Sequence, residues 1–175
     1  MTKTADESVL EALLDSYQRG NTILLNLLQA LPEGGMDARA MEGSPSIAVM
    51  FSHIHQVRLF WLTQTVPEFA EPLTSLFRKE GEERIPERGP RHIEEALNAG
   101  ARAVCDAVKS HIETGQPMKG EHATYDHPVM FLQHMLWHEG YHFGQMKLAL
   151  KTIGFVMSDE EEEKLVWEVW RLEVW

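Results

Sequence analysis

The chain has little of what a secreted, membrane-spanning or nucleic-acid-binding protein needs. Its 175 residues include a single cysteine, Cys105, so no internal disulfide can form, and nothing points to an oxidising compartment. No segment reaches the run of about 18 apolar residues that a spanning helix requires. The amino end, Met1-Thr2-Lys3-Thr4-Ala5-Asp6-Glu7, lacks the apolar stretch of a secretory signal. The expected location is therefore cytoplasmic, with no membrane partner. Basic residues are also scarce: 16 Lys and Arg stand against 27 Asp and Glu, for a net charge of −11. No local Lys/Arg cluster offsets that excess, so phosphate backbones are repelled and nucleic acid is not an expected partner. No stretch reads as a convincing strand, and neither an internal repeat nor a low-complexity tract is present.

What remains is a helical pattern. A hydrophobic content of 43% and a charged content of 25% are ordinary for a globular chain, and the length suits one domain over residues 1–175. Val9, Leu10, Leu13, Leu14, Tyr17, Leu24, Leu25, Leu27 and Leu28 recur at threes and fours, predicting a helix from about Thr4 to Leu31, with Gly20 a point of loosening. Pro32-Glu33-Gly34-Gly35 stops it. Ser44 as N-cap and Pro45 at the first helical position predict a second helix to Val66. A short helix is expected after Pro72, then a charged loop over Gly81 to Pro90. A third helix runs from Pro90 to a Gly115 stop, and a fourth from Pro128, capped by Asp126 or His127, to Ile153 with Gly154 beyond it. Ser158-Asp159-Glu160-Glu161 reads as a capping box that opens a last helix bearing Leu165, Val166, Trp167, Val169, Trp170 and Leu172. The expected fold is all-α: a four-helix bundle, up-and-down or with a crossover, plus a C-terminal helix. Trp167, Trp170 and Trp175 in that helix suggest either a homodimer surface or closure of the monomer's own core.

One stretch carries chemistry. His138-Glu139-Gly140-Tyr141-His142 places two imidazoles four residues apart in a helix, where positions i and i+4 share a face about 5–6 Å apart. Two such rings make half of a metal site, since firm binding of a transition ion needs at least three protein ligands. In a bundle the third must come from a facing helix. The second helix offers His53 and His55, which are too far around the helix from each other to face one ion, and spacing alone leaves the choice nearly even. His134, one turn before His138, extends the line of imidazoles. Cys105, among Ala101, Val104 and Val108, reads as a buried structural thiol rather than a nucleophile.

Ser44 to Trp61 (SPSIAVMFSHIHQVRLFW), the tail H-x-x-x-H-x-G-Q from His138 to Gln145, and the stop at Gly154 together resemble the DinB/YfiT-like family, whose members are regarded as metalloenzymes although many have no known substrate. The resemblance spans most of the chain. It implies a four-helix bundle with a three-histidine site, His53 from helix two with His138 and His142 from helix four; the eight-residue step from His53 to Trp61 fits better than a start at His55. Similar proteins bind divalent metals such as nickel or zinc, and some act with low-molecular-weight thiols. The implied partner is thus a small-molecule substrate. Phe143 stands where the family often has a basic residue, so no cation for an anionic group carries over at that position.

An open site of three neutral ligands makes hydrolysis and thiol transfer both reachable. Glu139 is then a general base or merely an outward charge, Gln145 a hydrogen-bond partner of the site or a packing residue, and Trp137 and Tyr141 pocket walls or core. Two rivals stand beside the enzyme. A metal-binding bundle with no catalytic activity, serving as a stress-response or scaffold protein, needs no acid–base partner. A zinc peptidase would use H-E-x-x-H with Glu139 as base. Gln145 and Leu148 occupy the positions at which an extended peptidase motif has Gly and a third His.

Overall fold

The computed structural model describes residues 5–121 and 123–171. Four helices of similar length form the body: α1 (Ala5–Gln29), α2 (Ile47–Thr65), α4 (Pro90–Thr114) and α5 (Pro128–Thr152). A single helical turn, α3 (Pro67–Ala70), follows α2, and α6 (Asp159–Glu162) continues as a wide π-type turn over Glu163–Trp167. Most helix ends lie where the local chemistry demands. Gly115 and Gly154 take φ of 65° and 80°, the left-handed region open to glycine, just beyond α4 and α5. Ser158 and Glu161 form the expected capping box at α6.

Some expectations are corrected. Ser46, not Ser44, caps α2, its hydroxyl accepting the Val49 N–H, while Ser44 folds back onto Met41. The short helix begins at Pro67 rather than after Pro72, because proline at the first helical position loses no hydrogen bond. Gly20 does not interrupt α1. The loop after Pro72 is a β-hairpin, β1 (Phe77–Glu80) with β2 (Glu83–Pro86), and a smaller pair, β3 (Met118–Lys119) with β4 (Thr124–Tyr125), precedes α5. Gly81, with φ of 64°, opens the two-residue turn of the first hairpin, the place where a tight hairpin turn favours glycine. Trp167 and Trp170 remain 46% and 39% exposed; Leu172 and Trp175 lie outside the described residues. No helix among the described residues is long and apolar enough to cross a membrane.

The core has two apolar halves. One gathers Leu24, Leu27 and Leu28 of α1, Ile47 to Ile54 of α2, Ile93 and Leu97 of α4, and Met146 to Leu150 of α5. The other gathers Tyr17, Leu62, Val104, Val108, Phe131, Leu132 and Met135. Followed along the chain, α1 runs into the first half, α2 and α4 run out of it, and α5 returns. Hence α2 and α4 are parallel, and the chain between them must travel back along the bundle. That return carries α3 and the β1–β2 hairpin, and Leu76, just ahead of β1, anchors in the first half. The hairpin is thereby delivered beside the early turns of α2.

Candidate metal centre

Pro128 starts α5 because its missing N–H is not needed there, and His127 caps it by accepting the Val129 N–H at 3.2 Å. Three turns on, the helix presents His138 and His142 on the face packed against α2, from which His53 projects. His138 Nε2 lies 3.2 Å from His53 Nε2 and 3.1 Å from His142 Nε2. The three donor atoms all fall within 4.8 Å of one another, so the group could hold a metal ion. Two nitrogens each about 2.0–2.1 Å from one ion lie about 2.9 Å apart at a right angle and about 3.3 Å apart at the tetrahedral angle. The observed spacings sit between those values.

Proton accounting favours a cation at the centre. His142 donates its Nδ1–H to the Gln145 side-chain carbonyl at 2.8 Å, which leaves a lone pair on the Nε2 that faces the other rings. One N–H on His138 Nε2 can serve only one of its two nitrogen neighbours, so three converging neutral imidazoles cannot satisfy each other. His138 Nδ1 is buried without a protein partner. Burial pushes the pKa of His138 down to about 4, and the positive charge that His142 and His53 would carry adds to the effect. Burial also lowers His53, reinforced by Arg84, and lowers His142, reinforced by His53 and opposed by its bond to Gln145. The rings are therefore neutral at pH 7, the form that binds metal.

His55 and His134 do not join them. His55 is buried, its Nε2 held 2.8 Å from the Thr74 carbonyl. His134 Nδ1 pairs with the Tyr125 hydroxyl at 2.7 Å, its ring edge-on to Trp61. Trp137 and Tyr141, at 80% and 60% exposure, are neither core nor walls of the histidine cleft. Cys105 is buried and accepts from the Gln18 amide at 3.3 Å; burial raises its pKa to about 11, which suits a structural thiol.

Glu139 is neither of the things the sequence suggested. Its side chain is buried and gripped at both oxygens by Arg58, Nε to Oε1 at 2.7 Å and Nη2 to Oε2 at 2.6 Å. The Tyr17 hydroxyl donates to Oε1 at 2.7 Å. Arg58 Nη1 reaches the Leu97 carbonyl at 2.6 Å and the Asn21 side-chain oxygen at 3.0 Å, and Asn21 in turn donates to Asn98. This layer joins α1, α2, α4 and α5 between the two apolar halves. Burial alone would lower the pKa of Arg58, but the charge of Glu139, its hydrogen bond and the nearby Tyr17 and Cys105 together more than offset it and the net shift is upward. A carboxylate so engaged is not free to act as the base of a zinc peptidase, so the match to H-E-x-x-H is coincidental.

Beside the histidines lies a cleft of about 420 Å³. It is lined by His53 and His142, by Pro45, Val49, Met50 and Gln56 at and before the first turns of α2, and by Phe77 and Arg84 of the hairpin. Sequence reasoning missed Arg58, Phe77 and Arg84. Arg58 had a signal, as the only charged residue of α2. The hairpin had little beyond Gly81, since its strands are mostly charged.

A family model described as the DinB family matches residues 1–160. No curated protein and no solved structure matches the chain.

Proposed function

The chain belongs to the DinB family, and from that premise we propose that it is a metal-dependent enzyme acting on a small thiol, with His53, His138 and His142 as ligands of zinc or nickel. The observation that carries the proposal is the convergence of the His53 and His142 Nε2 atoms on His138 Nε2, at 3.2 and 3.1 Å, which neighbouring protons cannot satisfy. Imidazole donors suit both ions, and three neutral ligands leave the ion's charge uncompensated. When bound, such an ion supplies Lewis acidity that favours the deprotonated form of water or a thiol.

The protein's own groups set the rest. Gln145 holds the His142 tautomer, and the two helices fix the three rings relative to one another. The cleft lining contains no carboxylate, and Glu139 is committed to Arg58. Water and a thiol must each lose a proton to become a nucleophile, but a thiol starts at a pKa of about 8.5 and water at about 15.7, so a thiol has less need of a general base. Thiol transfer is accordingly the favoured reaction. The same lack of acid–base groups supports a second reading, a metal-binding protein without catalysis.

Elemental analysis and a thiol-conjugation assay with a chromogenic electrophile separate them. About one zinc or nickel per chain, with turnover lost together with metal in His142→Ala, is the expected result. Metal without turnover in the parent protein favours the second reading, and a parent that takes up no metal overturns both.

A further inference from the structure

We infer that Arg84, presented by the β1–β2 hairpin, recognises an anionic group of the substrate, so that the cleft beside the three histidines selects small thiols carrying a carboxylate. The inference rests on the thiol-enzyme reading and names the substrate class within it. Its first support is the strand register. Phe77 pairs with Pro86 and Lys79 with Arg84, while Arg78 pairs with Ile85 and Glu80 with Glu83. Side chains alternate along a strand and directly opposed residues share a face. One face of the hairpin therefore carries Phe77, Lys79, Arg84 and Pro86, and the other carries Arg78 and the acids Glu80 and Glu83. Phe77 and Arg84 line the cleft, so the face turned to the histidines carries two cations and no acid.

The second support is the state of Arg84 itself. Its guanidinium lies over the Phe77 ring, 4.6 Å from the centroid, and has no hydrogen-bond or ion-pair partner among the described residues. Arg19, Arg78, Arg88 and Arg91 each hold a carboxylate. Arg39 and Arg102 hold no carboxylate either, but of the three Arg84 is the one braced by an aromatic ring in the lining of the histidine cleft, with its planar donors unpaired among the described residues. A stacked guanidinium is well suited to a carboxylate, which it can bind with two parallel hydrogen bonds.

The rest of the lining agrees. Gln56, also in the lining, accepts from the Ser75 hydroxyl at 2.7 Å through its carbonyl, which leaves its amide N–H groups unpaired among the described residues. Val49, Met50 and Phe77 add apolar contact to the same lining. A cation and a metal with neutral ligands beside one cleft, with no acid in its lining, make that cleft locally positive in an acidic protein.

Cobalt-substituted protein tests this, with binding of 3-mercaptopropionate, 2-mercaptoethanol and 2-mercaptoethylamine followed by the sulfur-to-cobalt charge-transfer absorption. The carboxylate-bearing thiol should bind about fivefold to tenfold more tightly than the other two, as expected for one partly exposed charge-assisted pair. Arg84→Gln should bring the three within about twofold, and Arg84→Lys should restore part of the preference. Arg84 is exposed, so cobalt content and melting temperature should not move in either variant. Equal binding of the three thiols to the parent protein, or a preference that survives in Arg84→Gln, overturns the inference and leaves the thiol-enzyme reading standing. Failure to take up cobalt, or cobalt that no thiol perturbs, overturns both.

Discussion

Replacing Glu139 by glutamine separates a structural carboxylate from a catalytic one. The Arg58–Glu139 pair is 0% and 3% exposed, and removing one partner of a buried pair leaves a stranded charge at a cost of about 3–5 kcal/mol. Glutamine keeps one acceptor for Arg58 or Tyr17, so the lower part of that range is expected. For a chain of this size each 1 kcal/mol shifts the melting temperature by about 2–4 °C, which puts Glu139→Gln about 6–12 °C below the parent. The fall should appear in calorimetry of the metal-free protein. The folded fraction at low temperature should still take up metal, because the three histidines are untouched. Replacing both partners, Arg58→Met with Glu139→Leu, should recover most of the loss, since a well-packed apolar pair of similar volume is often no less stable than the ion pair. A Glu139→Gln protein that melts within about 2 °C of the parent, yet loses all turnover, would refute the structural assignment and restore Glu139 as a base.

Other outcomes follow from the same geometry. Burial lowers the pKa of His55 to about 4, below its unfolded value of about 6.5. Its stabilising contribution is thus present above pH 6.5 and is lost as pH falls toward 4, on the order of 2–3 kcal/mol. Denaturant titration of the metal-free protein at pH 7 and 4.5 should show this loss together with that of His138, which burial lowers to the same value, and a flat profile would contradict it. Gln145→Leu removes the acceptor for His142 Nδ1 and should weaken metal binding by about 10–100-fold, measured against a competing chelator, with the melting temperature of the metal-free protein unchanged. A methyl group on Gly100 would lie 3.1 Å from His55 Nδ1 and 3.2 Å from Arg58 Cδ. Overpacking of about 1–3 kcal/mol should exceed the roughly 1 kcal/mol that alanine gains in a helix, so a Gly100→Ala protein more stable than the parent would show that these neighbours can yield.

Local signals made much of this legible from the sequence. Gly115, Gly154, Pro128 and the Ser158 capping box act within a turn of themselves, and they marked helix ends that the structure retains. His138 and His142 were equally local, because four residues on a helix already define their relation. His53 was not. Helix α2 is apolar nearly all round and buries both Ile54 and His55, so its pattern has no polar side from which to orient the two histidines. The resemblance chose His53, and the structure brings that ring to the other two. Glu139 failed for the opposite reason: its partner is 81 residues away, and no local pattern reports such a pair. The lone acid of α5 and the lone charged residue of α2 were nonetheless a clue, since two isolated charges on apolar helices must find each other or be excluded. The hairpin was the least legible, because its strands are held by backbone pairing rather than by an apolar face.

X-ray absorption at the edge of the bound metal, on protein purified without chelator, tests the central claim most directly. Three imidazole nitrogens at about 2.0–2.1 Å with no sulfur in the shell are expected, falling to two in His53→Ala. A shell containing Cys105 sulfur, or three imidazoles still present after His53→Ala, would contradict the site.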